Sequence, residues 1–216
     1  MTPQKRSVYT IGHSNRPVAE FLDLLKAHGI RTVVDIRTIP QSRHNPQFGK
    51  DALRTTLKNA RISYEHLKAL GGLRRPEKDS VNLGWRNASF RGFADYMGTS
   101  EFAHGLARLK DLVAHTKTAV MCAEAVPWRC HRSLIADALT AQHWRVFHIQ
   151  SRKTAPPHAL TPFLEVRAGT LLYPKKARRA GGSRQGAEEA PGQSRADIGL
   201  ASHRAHDMSH ARQPLP

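Results

Sequence analysis

Two cysteines, a glutamate, a histidine and an arginine fall within one short segment, Cys122-Ala-Glu124 followed by Cys130-His131-Arg132. Thiols, a carboxylate, an imidazole and a guanidinium so close together can act as nucleophile, proton carrier, anion binder or metal ligand. Cys130 is expected to open a helix, where the helix dipole and the adjacent His131 and Arg132 lower a thiol's pKa and favour a reactive thiolate. Cys122 closes an apolar run, where a small buried thiol is the default. Glu124 is a candidate general acid or base, because a crevice shifts a carboxyl toward neutrality.

The spacing argues against two standard uses of these residues. The order strand, cysteine, loop, helix resembles the loops of cysteine phosphatases and rhodaneses, which place an arginine at the helix start. Here the residue six beyond Cys122 is Trp128, and Arg129 comes one position too late. Cys122, Glu124, Cys130 and His131 supply four ligand types, but familiar zinc sites repeat short Cys-x-x-Cys pairs. These cysteines stand eight apart with Pro127-Trp128 between them, so no metal is expected. The nucleotide fingerprints G-x-G-x-x-G and G-x-x-x-x-G-K-[ST] are missing, which leaves the cofactor unknown and requires any nucleotide to be held in another way.

The elements that would position this segment alternate between two periodicities. Ser7–Ile11, Arg31–Arg37, Ile62–Leu67, Thr118–Cys122 and Trp144–Ile149 read as strands, rich in β-branched and aromatic residues. Between them, helical spacing predicts helices from Val18 to His28, Asp51 to Asn59, Ser100 (as N-cap) to His115 and Cys130 to Gln142. Strand and helix in alternation imply an α/β fold, a three-layer Rossmann-like sandwich with a mainly parallel sheet of about five strands. Ligands of such folds bind outside the carboxyl ends of the strands. Those ends carry His13 and Ser14 after the first strand, Asp35 and Arg37 after the second, and the Cys122 segment after the fourth.

His13, Glu124, Cys122 and Cys130 are therefore the candidate catalytic residues, and Arg37, Arg132, Ser14, Asp35, Ser42 and His131 the candidate anion or substrate binders. Arg37 and Arg132 suit a phosphate or carboxylate by paired hydrogen bonds. The alternative is that Arg37 neutralises Asp35 or Glu124 within the fold, and that His13 makes only a loop hydrogen bond.

The segment from Leu73 to Arg91 is polar, contains an exposed-looking Trp85 and has no assignable element. Residues 151–174 read as an irregular packed ending. From residue 175 the composition turns to Arg, Ala, Gly, Ser, Gln and His, which divides the chain into a domain over 1–174 and a disordered basic tail over 175–216. Residues 1–175 carry 27 Lys and Arg against 13 Asp and Glu, an excess of +14 in a chain of net charge +17. Such a field attracts phosphorylated small molecules and nucleic acid. No apolar run approaches the roughly 20 residues of a membrane span, no signal peptide is read, and two cysteines suit thiols in a reducing compartment. The expectation is a cytoplasmic protein with no membrane partner.

Assembled in order, these residues resemble the bacterial and archaeal family catalogued as domain of unknown function 488. The matching pieces are Tyr9-Thr-Ile-Gly-His13-Ser14, Val34-Asp35-Ile-Arg37-x-x-Pro40-x-Ser42 and Tyr64-x-x-Leu67-x-x-Leu70-Gly71-Gly72. They continue through Phe93-x-x-Tyr96-Met97, Met121-Cys122-Ala-Glu124, Cys130-His131-Arg132 and His158-x-Leu160-Thr161 to Tyr173-Pro174. The resemblance spans residues 7–174 and implies a Rossmann-like fold without a named reaction. Three function classes stay open: an enzyme acting on a nucleotide, nucleic acid or other phosphorylated substrate, a non-enzymatic nucleic-acid-binding module, and thiol-based transfer or redox chemistry.

Overall fold

The computed structural model describes residues 6–41 and 43–175. Beyond Lys175 the expected basic tail lies outside the described residues. β1 (Ser7–Gly12), β2 (Thr32–Asp35), β3 (Ser63–His66), β4 (Thr118–Cys122) and β5 (Arg145–His148) form one all-parallel sheet in the order β3-β2-β4-β1-β5. β2 and β4 are buried along their whole length, which explains their apolar and threonine composition up to Asp35 at the end of β2.

Side chains on successive strand residues point to opposite faces, and each face has its own helices. Ile11, Val33, Ala119 and Met121 pack under α1 (Val18–Ala27) and α2 (Lys50–Asn59), through Phe21, Leu25, Leu53 and Leu57. Val8, Val34 and Val120 pack under α3 (Ala88–Tyr96), α4 (Ser100–His115) and α5 (Arg132–Ala141), through Phe93, Phe102, Leu109 and Leu134. Right-handed crossovers require this division. The chain travels one way along the sheet from β1 to β3, then reverses to insert β4 and add β5. β4 thus sits between two strands whose following helices lie on the opposite face, and a crevice opens at its carboxyl end.

The helix ends repeat one device. After α1, α2 and α5 the N–H groups of Ile30, Ile62 and Trp144 reach back to Leu25, Leu57 and Leu139, while Gly29, Arg61 and His143 bond Lys26, Lys58 and Thr140. This is the Schellman pattern, which needs a left-handed residue at its centre. Gly29 meets that need without strain at φ 65°, but Arg61 and His143 are held at φ 57° and 64°. Replacing His143 with glycine is therefore expected to raise stability by about 0.5–1 kcal/mol, read from the urea midpoint. An unchanged or lower midpoint would show that the left-handed strain is absorbed elsewhere.

Four details depart from the sequence reading. The N-cap of α4 is Thr99, whose hydroxyl accepts from the Phe102 N–H at 3.3 Å, one residue before the expected Ser100. α3 emerges from the unassigned segment, capped by Asn87, whose carbonyl oxygen accepts from the Ser89 N–H at 2.8 Å. Trp85 is half-buried rather than exposed, its ring 4.8 Å from Phe90 and 5.0 Å from Phe163. The ending expected to be irregular contains a small hairpin, β6 (Glu165–Arg167) and β7 (Thr170–Leu172), turned by Ala168 and Gly169 at positive φ.

A buried polar chain fastens this ending to the sheet. The Thr10 hydroxyl meets His148 Nδ1 at 2.7 Å, His148 Nε2 meets His158 Nδ1 at 3.0 Å, and His158 Nε2 meets Asp137 Oδ1 at 2.9 Å. A carboxylate accepts, so His158 donates to Asp137, and the string of contacts continues through His148 to the Thr10 hydroxyl. Burial, helped by His158 and Arg132, lowers the pKa of His148 to about 4. Between about pH 4 and 6.5 the unfolded chain binds the proton that the folded protein refuses. The stability from this site is complete above about pH 6.5 and is lost as pH falls toward 4, on the order of 2 kcal/mol after allowance for partial solvent access. Urea midpoints should fall more steeply over this range in the parent protein than in His148→Gln, and parallel curves would refute the assignment.

No helix among the described residues is long and apolar enough to cross a membrane.

Candidate functional site

A cavity of about 890 Å³ opens at the carboxyl ends of β1, β2 and β4. The topology places it there, and the last residue of each strand, or the residues just beyond, forms its wall. Gly12 makes the convergence achievable. A Cβ on this residue would lie 1.8 Å from the Glu124 carbonyl oxygen, so the end of β1 passes directly beneath the Cys122–Ala125 turn. The His13 and Ser14 N–H groups extend the pairing, donating to the Cys122 and Ala123 carbonyls at 3.0 and 2.8 Å. Ser14, half-buried on the wall, is held by this pairing at φ 51°.

His13 is buried with both ring nitrogens engaged. Its Nδ1–H donates to the Ser14 carbonyl at 2.8 Å and its Nε2 accepts from Arg37 Nη1 at 3.2 Å. An arginine only donates, so the ring is the neutral Nδ1–H form, stacked on Phe48 with centroids 4.3 Å apart. Burial lowers its pKa, the Ser14 carbonyl works against that, and Arg37 adds to it.

Arg37 lines the cavity as half of a buried ion pair. Its Nη2 donates to Asp35 Oδ2 at 2.6 Å and to the Phe48 carbonyl at 2.8 Å, and its Nε donates to Asp35 Oδ1 at 2.9 Å. Asp35 also accepts from the Tyr64 hydroxyl at 2.9 Å and from the Arg37 N–H at 3.0 Å. Burial and Asp35 together raise the Tyr64 pKa. Arg37 is thus balanced from inside the fold, the alternative left open by the sequence. His66, which sequence reasoning did not single out, locks the same turn by donating from Nε2 to the Arg37 carbonyl at 2.8 Å.

The cysteine segment folds back on itself through a 3-10 turn over Pro127–Arg129, with Cys130 extended and α5 starting only at Arg132. Cys130 therefore precedes the helix rather than opening it. The turn brings together what the spacing separated: the thiols of Cys122 and Cys130 and a ring nitrogen of His131 all lie within 4.8 Å of one another. The hydrogen bond from Cys130 pulls the Cys122 pKa well down against its burial, with His131 and Arg132 assisting. The same contact and burial push Cys130 up. His131 Nδ1 faces Cys130 Sγ at 3.6 Å while its Nε2 sits 3.1 Å from the Leu70 carbonyl, which fixes the ring proton on Nε2.

Arg132 is the largest fully buried side chain and is not part of the cavity wall. Its Nη2 donates to the Ala125 carbonyl at 3.1 Å, but its buried Nε and Nη1 have no hydrogen-bond partner among the described residues. Burial lowers its pKa, and Cys130, Cys122 and Glu124 oppose that shift. Glu124 itself is exposed on the wall. The cavity thus unites His13, Ser14, Arg37, Cys122, Glu124, Cys130 and His131, with Asp35 beneath Arg37 and Arg132 behind the thiols. Ser42 lies outside the described residues. Sequence reasoning passed over Asn87, Phe90 and Arg129, which also line the cavity; only the N-cap character of Asn87 offered a signal.

The family model described as domain of unknown function DUF488 matches residues 17–139. The chain belongs to the DUF488 family. The DUF488 match takes in Asp35, Arg37, both cysteines and His131, and is narrower than the 7–174 expected from the motifs, beginning after His13 and Ser14. Neither the comparison with curated proteins nor that with solved structures returns a match.

Proposed function

We propose that this DUF488 protein is an enzyme that acts on a small phosphorylated substrate, a nucleotide foremost, inside the strand-end cavity. The observation that carries the reading is the convergence of Cys122, Cys130, His131 and Glu124 on one cavity of about 890 Å³, a volume typical of small-molecule sites. Arg129, exposed on the wall, takes the phosphate, a task that Arg37 cannot perform while it is held by Asp35. Ile39 and Leu73, 62% and 71% exposed on the same wall, offer apolar surface to a planar base. Glu124 is the accessible carboxylate placed to move a proton, and the thiol and imidazole group is the reacting centre.

A thermal-shift panel of nucleotides and phosphorylated metabolites tests this. At least one is expected to raise Tm, by the equivalent of about 2.7 kcal/mol at a hundredfold excess over Kd. Arg129→Ala should weaken that response, while Glu124→Gln should preserve binding and abolish turnover of the ligand found. A panel without a hit, or a hit indifferent to both substitutions, overturns the reading. A second reading, a nucleic-acid-binding module, is favoured by one feature: Arg54, Lys58 and Arg61 line a groove of about 490 Å³ beside β3. Salt-dependent binding of DNA or RNA that disappears when these three are replaced by alanine would support it.

A further inference from the structure

We infer that Cys122, Cys130 and His131 form a binding site for a divalent zinc-type cation, with one coordination position open to the cavity. The inference deepens the enzyme reading by naming its reacting centre, and it rests on that reading only for what the metal would do.

The donor set is the first support. Two thiolates and one imidazole suit zinc, and three protein ligands with a fourth position free distinguish a catalytic site from a closed structural one. The three donor atoms lie within 4.8 Å of one another, and all three residues line the cavity. Around a tetrahedral zinc a sulfur and a nitrogen ligand stand about 3.5 Å apart, and Cys130 Sγ lies 3.6 Å from His131 Nδ1. Neighbouring residues can share the ion here because the chain turns from extended at Cys130 to helical at His131.

The outer shell is the second support. A ligating histidine characteristically donates its other ring N–H to a carbonyl or carboxylate, as His131 Nε2 does to Leu70. The Arg132 N–H reaches Cys130 Sγ at 3.5 Å, the kind of contact that steadies a thiolate. Gly72 leaves the ring unobstructed, since a Cβ there would lie 2.3 Å from His131 Nδ1.

The buried Arg132 side chain is the third support. Arg132 is 1% exposed, and among the described residues its Nε and Nη1 lack partners and no carboxylate is bonded to it. A buried cation without a counter-charge costs several kcal/mol. The sulfurs of metal-bound cysteines would turn negative charge toward this guanidinium. A divalent ion, two thiolates, the Arg132 guanidinium and the Glu124 carboxylate sum to zero. The spacing argument against a metal assumed that residues eight apart stay apart, and the Pro127–Arg129 turn removes that assumption.

The experiment is metal binding to the purified full chain. Zinc is expected to bind at one equivalent and to protect both thiols from a chromogenic disulfide reagent. Cobalt(II) should give the thiolate charge-transfer and tetrahedral ligand-field absorption of a mixed sulfur and nitrogen site. Cys122→Ser, Cys130→Ser and His131→Gln should each reduce affinity by more than the roughly 10–100-fold that loss of an outer-shell partner costs. Gly72→Ala, which displaces the His131 ring without removing a ligand, should fall within that range. Two thiols that react freely in the presence of excess zinc, or a cobalt spectrum unchanged in His131→Gln, would overturn the inference. Glu124→Gln separates the two proposals. Metal bound with no turnover of any panel ligand by the parent protein sinks the enzyme reading alone, and absent metal with turnover lost in Glu124→Gln sinks the metal alone.

Discussion

Asp35→Ala is expected to lower folding stability by about 3–5 kcal/mol, the cost of leaving a buried charge without its partner. Arg37 is 6% exposed and Asp35 fully buried, with the guanidinium bonded to both carboxylate oxygens. The substitution also strands the Tyr64 hydroxyl and removes the acceptor that orders the Arg37 backbone. Because Arg37 in turn donates to His13, the turn after β2 and the turn after β1 should loosen together. Urea unfolding gives the magnitude. Pairing Asp35→Leu with Arg37→Met removes both charges at similar volume and should recover most of the loss. A single substitution costing below about 1 kcal/mol, the range of a surface pair, would mean that the pair is hydrated.

The second large effect is expected at Asp137. Its carboxylate is fully buried and accepts from His158 Nε2 at 2.9 Å, the Thr161 N–H at 2.9 Å, the Thr161 hydroxyl at 2.6 Å and the Tyr173 hydroxyl at 3.0 Å. Burial and this carboxylate together raise the Tyr173 pKa. All four donors belong to the segment after β5, so Asp137 joins α5 to the ending of the domain. Asp137→Ala orphans the donors at about 1–3 kcal/mol for each one that cannot reach water, giving a loss of roughly 3–5 kcal/mol. Tyr173→Phe, which removes one hydrogen bond, should cost about 1 kcal/mol. Native-state hydrogen exchange should localise the Asp137→Ala damage to residues 155–175. A uniform loss of protection would indicate that the segment is part of the global folding unit rather than strapped to it.

The sheet was readable because its signal is local. Val33-Val34 and Ala119-Val120-Met121 sit in continuous apolar runs that suit strands covered on both faces, and their carboxyl ends mark the crevice without further information. α3 escaped because Arg91 and Gly92 interrupt its apolar face. Gly92 is there for packing, since a Cβ would lie 2.5 Å from the Arg75 carbonyl carbon. The loop before α3 is ordered by contacts from far along the chain: Asp95 accepts from the Glu77 N–H at 2.9 Å and the Ser80 hydroxyl at 2.6 Å, and Asn82 accepts from the Tyr173 N–H at 2.8 Å. The β6–β7 hairpin consists of three-residue strands, below the length at which alternation can be recognised.

Within the site, residue types were legible and partnerships were not. Arg37 and Arg132 look alike in sequence, two arginines offered to an anion from the segments that follow strands, yet one is paired with a carboxylate two residues away and the other is buried behind two thiols. What distinguishes them is the path of the chain from Ala123 to His131, where a three-residue 3-10 turn decides which groups face each other. Spacing rules drawn from Cys-x-x-Cys sites carry no information about such a turn.

The strand order β3-β2-β4-β1-β5 also fixes when the site can exist. β1 and β2 are not neighbours, and the gap between them is filled by Thr118–Cys122. During synthesis the first half of the protein therefore carries β1 without a sheet partner and β2 with one edge open until the central strand has left the ribosome. Such a delay prolongs exposure to aggregation and to chaperones. The strand that ends the wait also carries Cys122 to the crevice. A nascent chain stopped short of residue 118 has neither a closed sheet nor a reacting centre, so the insertion of the central strand and the delivery of Cys122 to the crevice are one event.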